Sequence, residues 1–182
     1  MAPDDGATGW PDVVGDTALT IQLPEADPLV RGEVPAHITV LYPFLHVSRI
    51  DAAVDGELRA LFGRHTAFEL VLAEFRRYPG VLYLAPEPAA PIGALTAELT
   101  ARWPEAVPYR GIFGGDGLDP HLTVANDEGP ETWRAAYDAL EARLAPLLPL
   151  RVGVSGVRLI VREAEGWRDA TRYPLGASLG VP

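Results

Sequence analysis

The tetrapeptide His37-Ile38-Thr39-Val40 returns 84 residues later as His121-Leu122-Thr123-Val124, and nothing else in the 182-residue chain constrains its fold as tightly. Polar and apolar residues alternate in both copies, the pattern of a half-buried strand. In a strand, residues i and i+2 leave the same face roughly 6.5–7 Å apart. His37 and Thr39 therefore stand side by side over a core reached by Ile38 and Val40, and His121 and Thr123 do the same over Leu122 and Val124. Each copy displays one imidazole and one hydroxyl on apolar roots.

The surrounding sequence repeats the arrangement. Leu19, Ile21 and Leu23 alternate and predict a strand over Thr17–Leu23. Ala36–Tyr42 is the first motif strand, stopped by Pro43. Ser48 precedes Asp51 at capping-box spacing, and Ile50, Val54, Leu58 and Leu61 mark a helix that Gly63 ends. Two strands, Ala67–Phe75 and Val81–Ala85, follow. Pro91 opens a second helix with Ile92, Leu95 and Leu99 inward, closed by Pro104. The second motif strand is His121–Asn126, and Pro130 starts a third helix with Trp133, Tyr137, Leu140 and Leu144 on one stripe. A strand over Leu150–Val161, bulged at Ser155–Gly156, and another over Trp167–Tyr173 complete the chain.

Each half thus reads strand, helix, strand, strand, and Phe68 displaced by the repeat lands on Val152. The expected fold is α+β: duplicated β-α-β-β lobes with pseudo-twofold symmetry, two antiparallel sheets around a central cleft, and helices outside. Residues 1–16, rich in Gly, Pro and Asp, read as a flexible N-terminal arm. Residues 17–182 form one bilobal domain, with the first motif half at about 36–86 and the second at about 120–174.

Composition narrows the chemistry. The chain has no Cys, which excludes a thiol nucleophile, thiolate metal sites and disulfides. All 15 of its basic residues are Arg. Without lysine there is no Schiff base, no lysyl-adenylate and no P-loop lysine. A net charge of −10 argues against a groove for long nucleic acid, whose binding rests on phosphate neutralisation, but leaves room for a small phosphorylated ligand. The start of the chain is acidic where a signal peptide is basic, and no run approaches the roughly 18 apolar residues of a membrane span. A cytoplasmic monomer without membrane attachment is the expectation.

Two histidines facing one another suit phosphodiester chemistry without a metal. A neutral imidazole takes the proton of the attacking hydroxyl or water, and an imidazolium protonates the leaving oxygen. Thr39 and Thr123 then bond the phosphate oxygens where charge builds. No HExxH or His-rich cluster points to a metal, and no cofactor is expected.

Other residues carry weaker signals. His46 reads as a loop histidine and His65 as a helix-end or surface one. Tyr42 shares the phase of the core residues. Phe44 and Tyr109 have faces suited to stacking on a base or to anchoring loops, and Arg110 suits a phosphate or a surface ion pair. GIFGGDG, lacking strand–helix context, reads as a flexible loop or lid.

The paired His-hydrophobic-Thr-hydrophobic motifs resemble those of the two-histidine (2H) phosphoesterase superfamily, which includes the bacterial 2′-5′ RNA ligases. PAHITVLYPF, GLDPHLTVA, VLYLAPEP and RWPEAVPYRG look like its actinobacterial-type branch. The resemblance covers roughly residues 17–175, and the two tetrapeptides are its specific part. It implies that His37 and His121 are catalytic and that Thr39 and Thr123 bind phosphate. The implied activity is hydrolysis of 2′,3′-cyclic phosphates, reversible ATP-independent 2′-5′ RNA ligation, or both, on a small nucleotide or an RNA end. A nucleotide- or RNA-binding module that keeps the pocket with little turnover is the alternative.

Overall fold

The computed structural model describes residues 12–32, 34–114, 117–126 and 130–177, with 130–134 as backbone only. It contains eight strands: β1 (Thr17–Gln22), β2 (His37–Leu41), β3 (Phe68–Tyr78), β4 (Val81–Glu87), β5 (Leu122–Asn126), β6 (Leu150–Val154), β7 (Gly156–Glu163) and β8 (Gly166–Pro174). Three helices accompany them, α1 (Ala52–Arg64), α2 (Ala90–Arg102) and α3 (Pro130–Leu144). The expected α+β class holds.

The strands follow the order β6-β3-β4-β5-β2-β1-β7-β8, with every neighbouring pair antiparallel. This corrects the expectation of two separate sheets. The described strands form one sheet, narrowest where β2 meets β5 at the single register pair Ile38↔Leu122.

The strands do not divide between the two sides of the seam as the two sequence halves do. β3 and β4, which follow the first motif in sequence, lie beside the second motif strand β5, while β7 and β8 extend the sheet beyond β1. The repeat partners Phe68 and Val152 sit on adjacent strands, with Leu70 opposite Val152 and Phe68 opposite Val154. Alternation fixes which face a residue takes but not which strand becomes its neighbour, and the β2–α1–β3 connection is long enough to cross the seam.

Ser155 marks a second correction. In place of one bulged strand, β6 ends on one side of the sheet against β3 and β7 begins on the other against β1. Gly156 makes that corner, where a Cβ would stand 2.8 Å from the carbonyl oxygen of Tyr173. Only glycine lets two backbones approach so closely.

The helices brace the motif strands. Asp51, not Ser48, caps α1, accepting from the amides of Ala53 and Val54 at 3.0 and 2.9 Å. The helix runs through Gly63 to a cap at His65. It buries Leu58, Leu61 and Phe62, the last stacked on Tyr173 of β8. α2 buries Ile92, Leu95 and Leu99, and its Thr96 hydroxyl donates to the carbonyl of Val40 at 2.7 Å, fixing it to β2. On α3, Tyr137, Leu140 and Leu144 are buried as the stripe predicts, and the Tyr137 hydroxyl donates to the Gly80 carbonyl at the β3–β4 turn. Trp133 lies outside the described side chains.

Ile38, Val40, Leu122 and Val124 are all buried in the main core. Each contributes roughly 1.5–3 kcal/mol by leaving water, which anchors the polar residues between them. Of the N-terminal arm, residues 1–11 lie outside the described residues. The rest is tied down, with the Gly15 amide on the Arg162 carbonyl and the Arg162 amide on the Asp16 carbonyl, both at 2.8 Å. No helix among the described residues is long and apolar enough to cross a membrane.

Candidate active site

The seam sets the geometry of the motifs. Ile38 opposite Leu122 is an antiparallel pair, so the same register carried one residue each way puts His37 across from Thr123 and Thr39 across from His121. Each histidine therefore neighbours the other motif's threonine. All four side chains are partly exposed, while the residues between them are buried.

Both rings are held alike. Nδ1 of His37 lies 2.8 Å from the carbonyl oxygen of Pro35, and Nδ1 of His121 lies 2.8 Å from that of Asp119. A carbonyl only accepts, so each Nδ1 carries the proton and each Nε2 is left for chemistry. Burial lowers the pKa of both, against the upward pull of those carbonyls. For His121, the neighbouring His37 lowers it further, which records that the two rings feel one another.

The surroundings differ. His121 meets the edges of two tyrosines, with ring centroids 5.9 Å from Tyr78 and 5.6 Å from Tyr83. Those rings stack on each other at 4.5 Å, and Tyr83 stands opposite Thr123 on β4. Burial, followed by the bond to Tyr83, pushes the Tyr78 hydroxyl up to about 12. Neither tyrosine was singled out by sequence reasoning. The only signal was two aromatics flanking the Pro-Gly turn of a hairpin, with nothing to say which strand β4 would join.

The first motif instead meets a loop. Burial pushes the Tyr109 hydroxyl up to about 12, against the downward pull of the neighbouring Thr39, and the Tyr109 amide donates to the Tyr42 carbonyl at 2.6 Å. Tyr109 and Arg110 adopt positive φ, 48° and 53°, a strained conformation for residues with a Cβ. Arg110 holds the loop in place: its guanidinium pairs with Asp16 at 2.6 Å and donates to the Tyr42 hydroxyl at 3.2 Å. Tyr42 in turn donates to Asp12 at 2.6 Å. Arg110 is thus in an ion pair, the second of the two roles its sequence suited. Tyr42 is buried as expected, but in a small cluster with Ala18 and Ile160 apart from the main core.

Phe44 is a correction. It is 5% exposed and packs edge-on to Trp103 at 5.2 Å, so it belongs to the core and offers no face to a base. It continues past Pro43 the inward phase of Ile38, Val40 and Tyr42. His46 packs beside Gly15 and bonds Ser48. His65 bonds Glu98 at 2.7 Å. Thr20 was also missed. It stands opposite Thr39 on β1 and is 2% exposed, with no hydrogen-bond partner for its hydroxyl.

Two cavities flank the motifs. One of about 310 Å³ is lined by Thr39, Tyr109 and Asp119 among others, and one of about 1020 Å³ by His37 and Thr123 with residues of α3 and the loop before β2. Among the described residues, no group of three His, Cys, Asp or Glu is arranged to hold a metal.

A family model described as the 2′-5′ RNA ligase superfamily matches residues 13–166. No curated protein sequence matches the chain. Among solved structures, Escherichia coli LigT complexed with 3′-AMP is similar at a TM-score of 0.57 and 18% identity, over 90% of this chain and 99% of that one. A crystal structure described as a phosphoesterase matches at 0.55 and 16%, over 90% and 99% of the two chains. The protein TT0787 of Thermus thermophilus matches at 0.51 and 17%, over 89% and 98%. At these identities the likeness is one of fold.

Proposed function

The chain belongs to the 2′-5′ RNA ligase superfamily, and from that premise we propose that it is a metal-independent phosphoesterase acting on RNA-type phosphodiesters. The carrying observation is the matched pair of imidazoles, each with Nδ1–H on a carbonyl and, among the described residues, no hydrogen-bond partner at Nε2. One Nε2 takes the proton of a water attacking the phosphorus of a 2′,3′-cyclic phosphate. The other, protonated, gives its proton to the departing 2′ or 3′ oxygen. With a 5′-hydroxyl in place of water and the 3′ oxygen departing, the same steps make a 2′-5′ linkage without ATP, and they run backwards as readily. Thr39 and Thr123 bond the non-bridging oxygens. LigT complexed with 3′-AMP, with ATP and with NADP+ supports a small-nucleotide substrate for a chain of this fold.

The depressed pKa values set the pH dependence. Both imidazoles lose their proton below the usual 6.5 in the free protein, so the maximum of kcat/KM, which needs one neutral and one charged, is expected below pH 6.5. An anionic phosphate in the site favours the imidazolium and moves the kcat profile upward. The test is turnover of a 2′,3′-cyclic mononucleotide and of an oligonucleotide ending in a cyclic phosphate, with excess chelator, from pH 4 to 9. Opening of either with the acid-side maximum is expected. Tight binding of nucleoside monophosphates with no turnover on any such substrate would instead establish the binding module.

A further inference from the structure

The larger cavity has a chemistry that the two-histidine step does not require. It begins at His37 and Thr123 and runs between the loop before β2 and the face of α3 that carries Ala136, Leu140 and Arg143. Its described lining contains two full charges, Arg31 and Arg143, and no carboxylate. Eleven of the other arginines, Arg110 and Arg158 among them, stand in ion pairs. Arg31 and Arg143 have no carboxylate partner among the described residues, and Arg31 has only two contacts of 3.5 Å to backbone carbonyls. Its backbone is nonetheless fixed, because its amide donates to the Val124 carbonyl beside Thr123 at 2.8 Å.

We propose that this groove binds a second phosphate of the substrate, one nucleotide upstream of the scissile phosphate, with Arg31 and Arg143 as its ligands. The inference rests on the phosphoesterase reading and adds the substrate class to it: a phosphodiester bearing a further phosphoanion, in preference to a cyclic mononucleotide alone. Three observations converge. The groove is continuous with both motifs. Its volume of about 1020 Å³ lies at the upper end of the roughly 300–1,000 Å³ of single-ligand sites. Its charge complements a phosphate, and guanidinium groups bind phosphate oxygens in pairs. Apolar side chains of the same lining, Val34 and Leu140 among them, offer a surface for a sugar and base.

The shared chemistry is the second phosphate, which arises either as the terminal 5′-phosphate of a mononucleotide or as the internal diester of an RNA end. Calorimetric titration separates these and does not need turnover. The probes are a nucleoside 2′-monophosphate, the 2′,5′-bisphosphate, and a dinucleotide ending in a 2′-phosphate, each against the full chain and against R31Q/R143Q. The second phosphate is expected to tighten binding by about 10- to 100-fold, the size of one or two charge-assisted hydrogen bonds. R31Q/R143Q should erase most of that ratio, and R31K/R143K should keep much of it. A gain with the bisphosphate alone identifies the terminal phosphate, and a gain with the dinucleotide identifies the RNA end. Equal affinities for all three probes, or a ratio untouched in R31Q/R143Q, overturns the proposal. Cyclic-phosphate turnover assayed in parallel keeps the two readings apart. Turnover without the second-phosphate preference sinks this inference alone, and the preference without turnover sinks the catalytic reading alone.

Discussion

His37 and His121 are held by the same device, an Nδ1–H on the carbonyl two residues earlier in the chain, yet their walls have little in common. The second motif sits against a stacked tyrosine pair from the β3–β4 hairpin, and its Thr123 opens onto the arginine groove. The first motif sits under a loop in which Tyr109 engages Thr39 and Arg110 is locked to Asp16. A repeated tetrapeptide thus supplies two imidazoles held alike in unequal surroundings, which on the proposed reading serve as acid–base groups and as binding surfaces. Acid–base chemistry on one phosphate needs the former, and an asymmetric substrate needs the latter.

The comparison breaks first at the histidines. His37→Ala and His121→Ala should each lower kcat by about 10²- to 10⁴-fold, because general acid and general base each contribute that much. Single-turnover opening of a cyclic phosphate measures it. Near-wild-type turnover in both variants would end the assignment however well the fold matches.

The threonines sharpen it. Thr123 makes no side-chain hydrogen bond among the described residues, whereas Thr39 has the Tyr109 hydroxyl as a neighbour, whose pKa it lowers. Thr123→Val should therefore lower kcat on the order of 10²-fold. Thr39→Val should lower it less, since the Tyr109 hydroxyl beside it remains to donate to the same phosphate oxygen. Tyr109→Phe in the Thr39→Val background should then bring the loss to that of Thr123→Val. Equal losses at the two threonines would show that the loop imposes no asymmetry on the chemistry.

The smallest effect concerns titration alone. Burial lowers the pKa of His121, and the tyrosine pair contributes that burial on one side. Tyr78→Leu should raise the His121 midpoint toward 6.5 and leave His37 in place, as followed by the imidazole proton resonances in NMR. Equal movement of both midpoints would mean that the tyrosines do not distinguish the motifs.

Much of this site was legible because strand alternation is local. Four residues suffice to say that His37 and Thr39 share a face and that Ile38 anchors them, and the same holds at His121. The helix stripes were readable for the same reason, down to Tyr137, Leu140 and Leu144. At Phe44 the same inward phase carries on past Pro43 and seats the ring against Trp103, a partner 59 positions away that no local pattern names. Arg110 carried the same charge whether it met a phosphate or Asp16, and 94 residues of intervening chain hid the partner.

The sequence by itself determined the residue types of the candidate site, their faces and the α+β class, since absent Cys and Lys and a repeated period-2 motif are properties of the chain read a few residues at a time. Only the tertiary structure decided that the strands make one sheet with a narrow seam, that β6 and β7 part at Ser155 to opposite sides, and that Tyr83, Thr20, Arg31 and Arg143 gather around the two motifs. Strand pairing is a contest among all compatible edges at once. Its outcome rests on packing and loop closure between residues far apart in the chain, which no local pattern records.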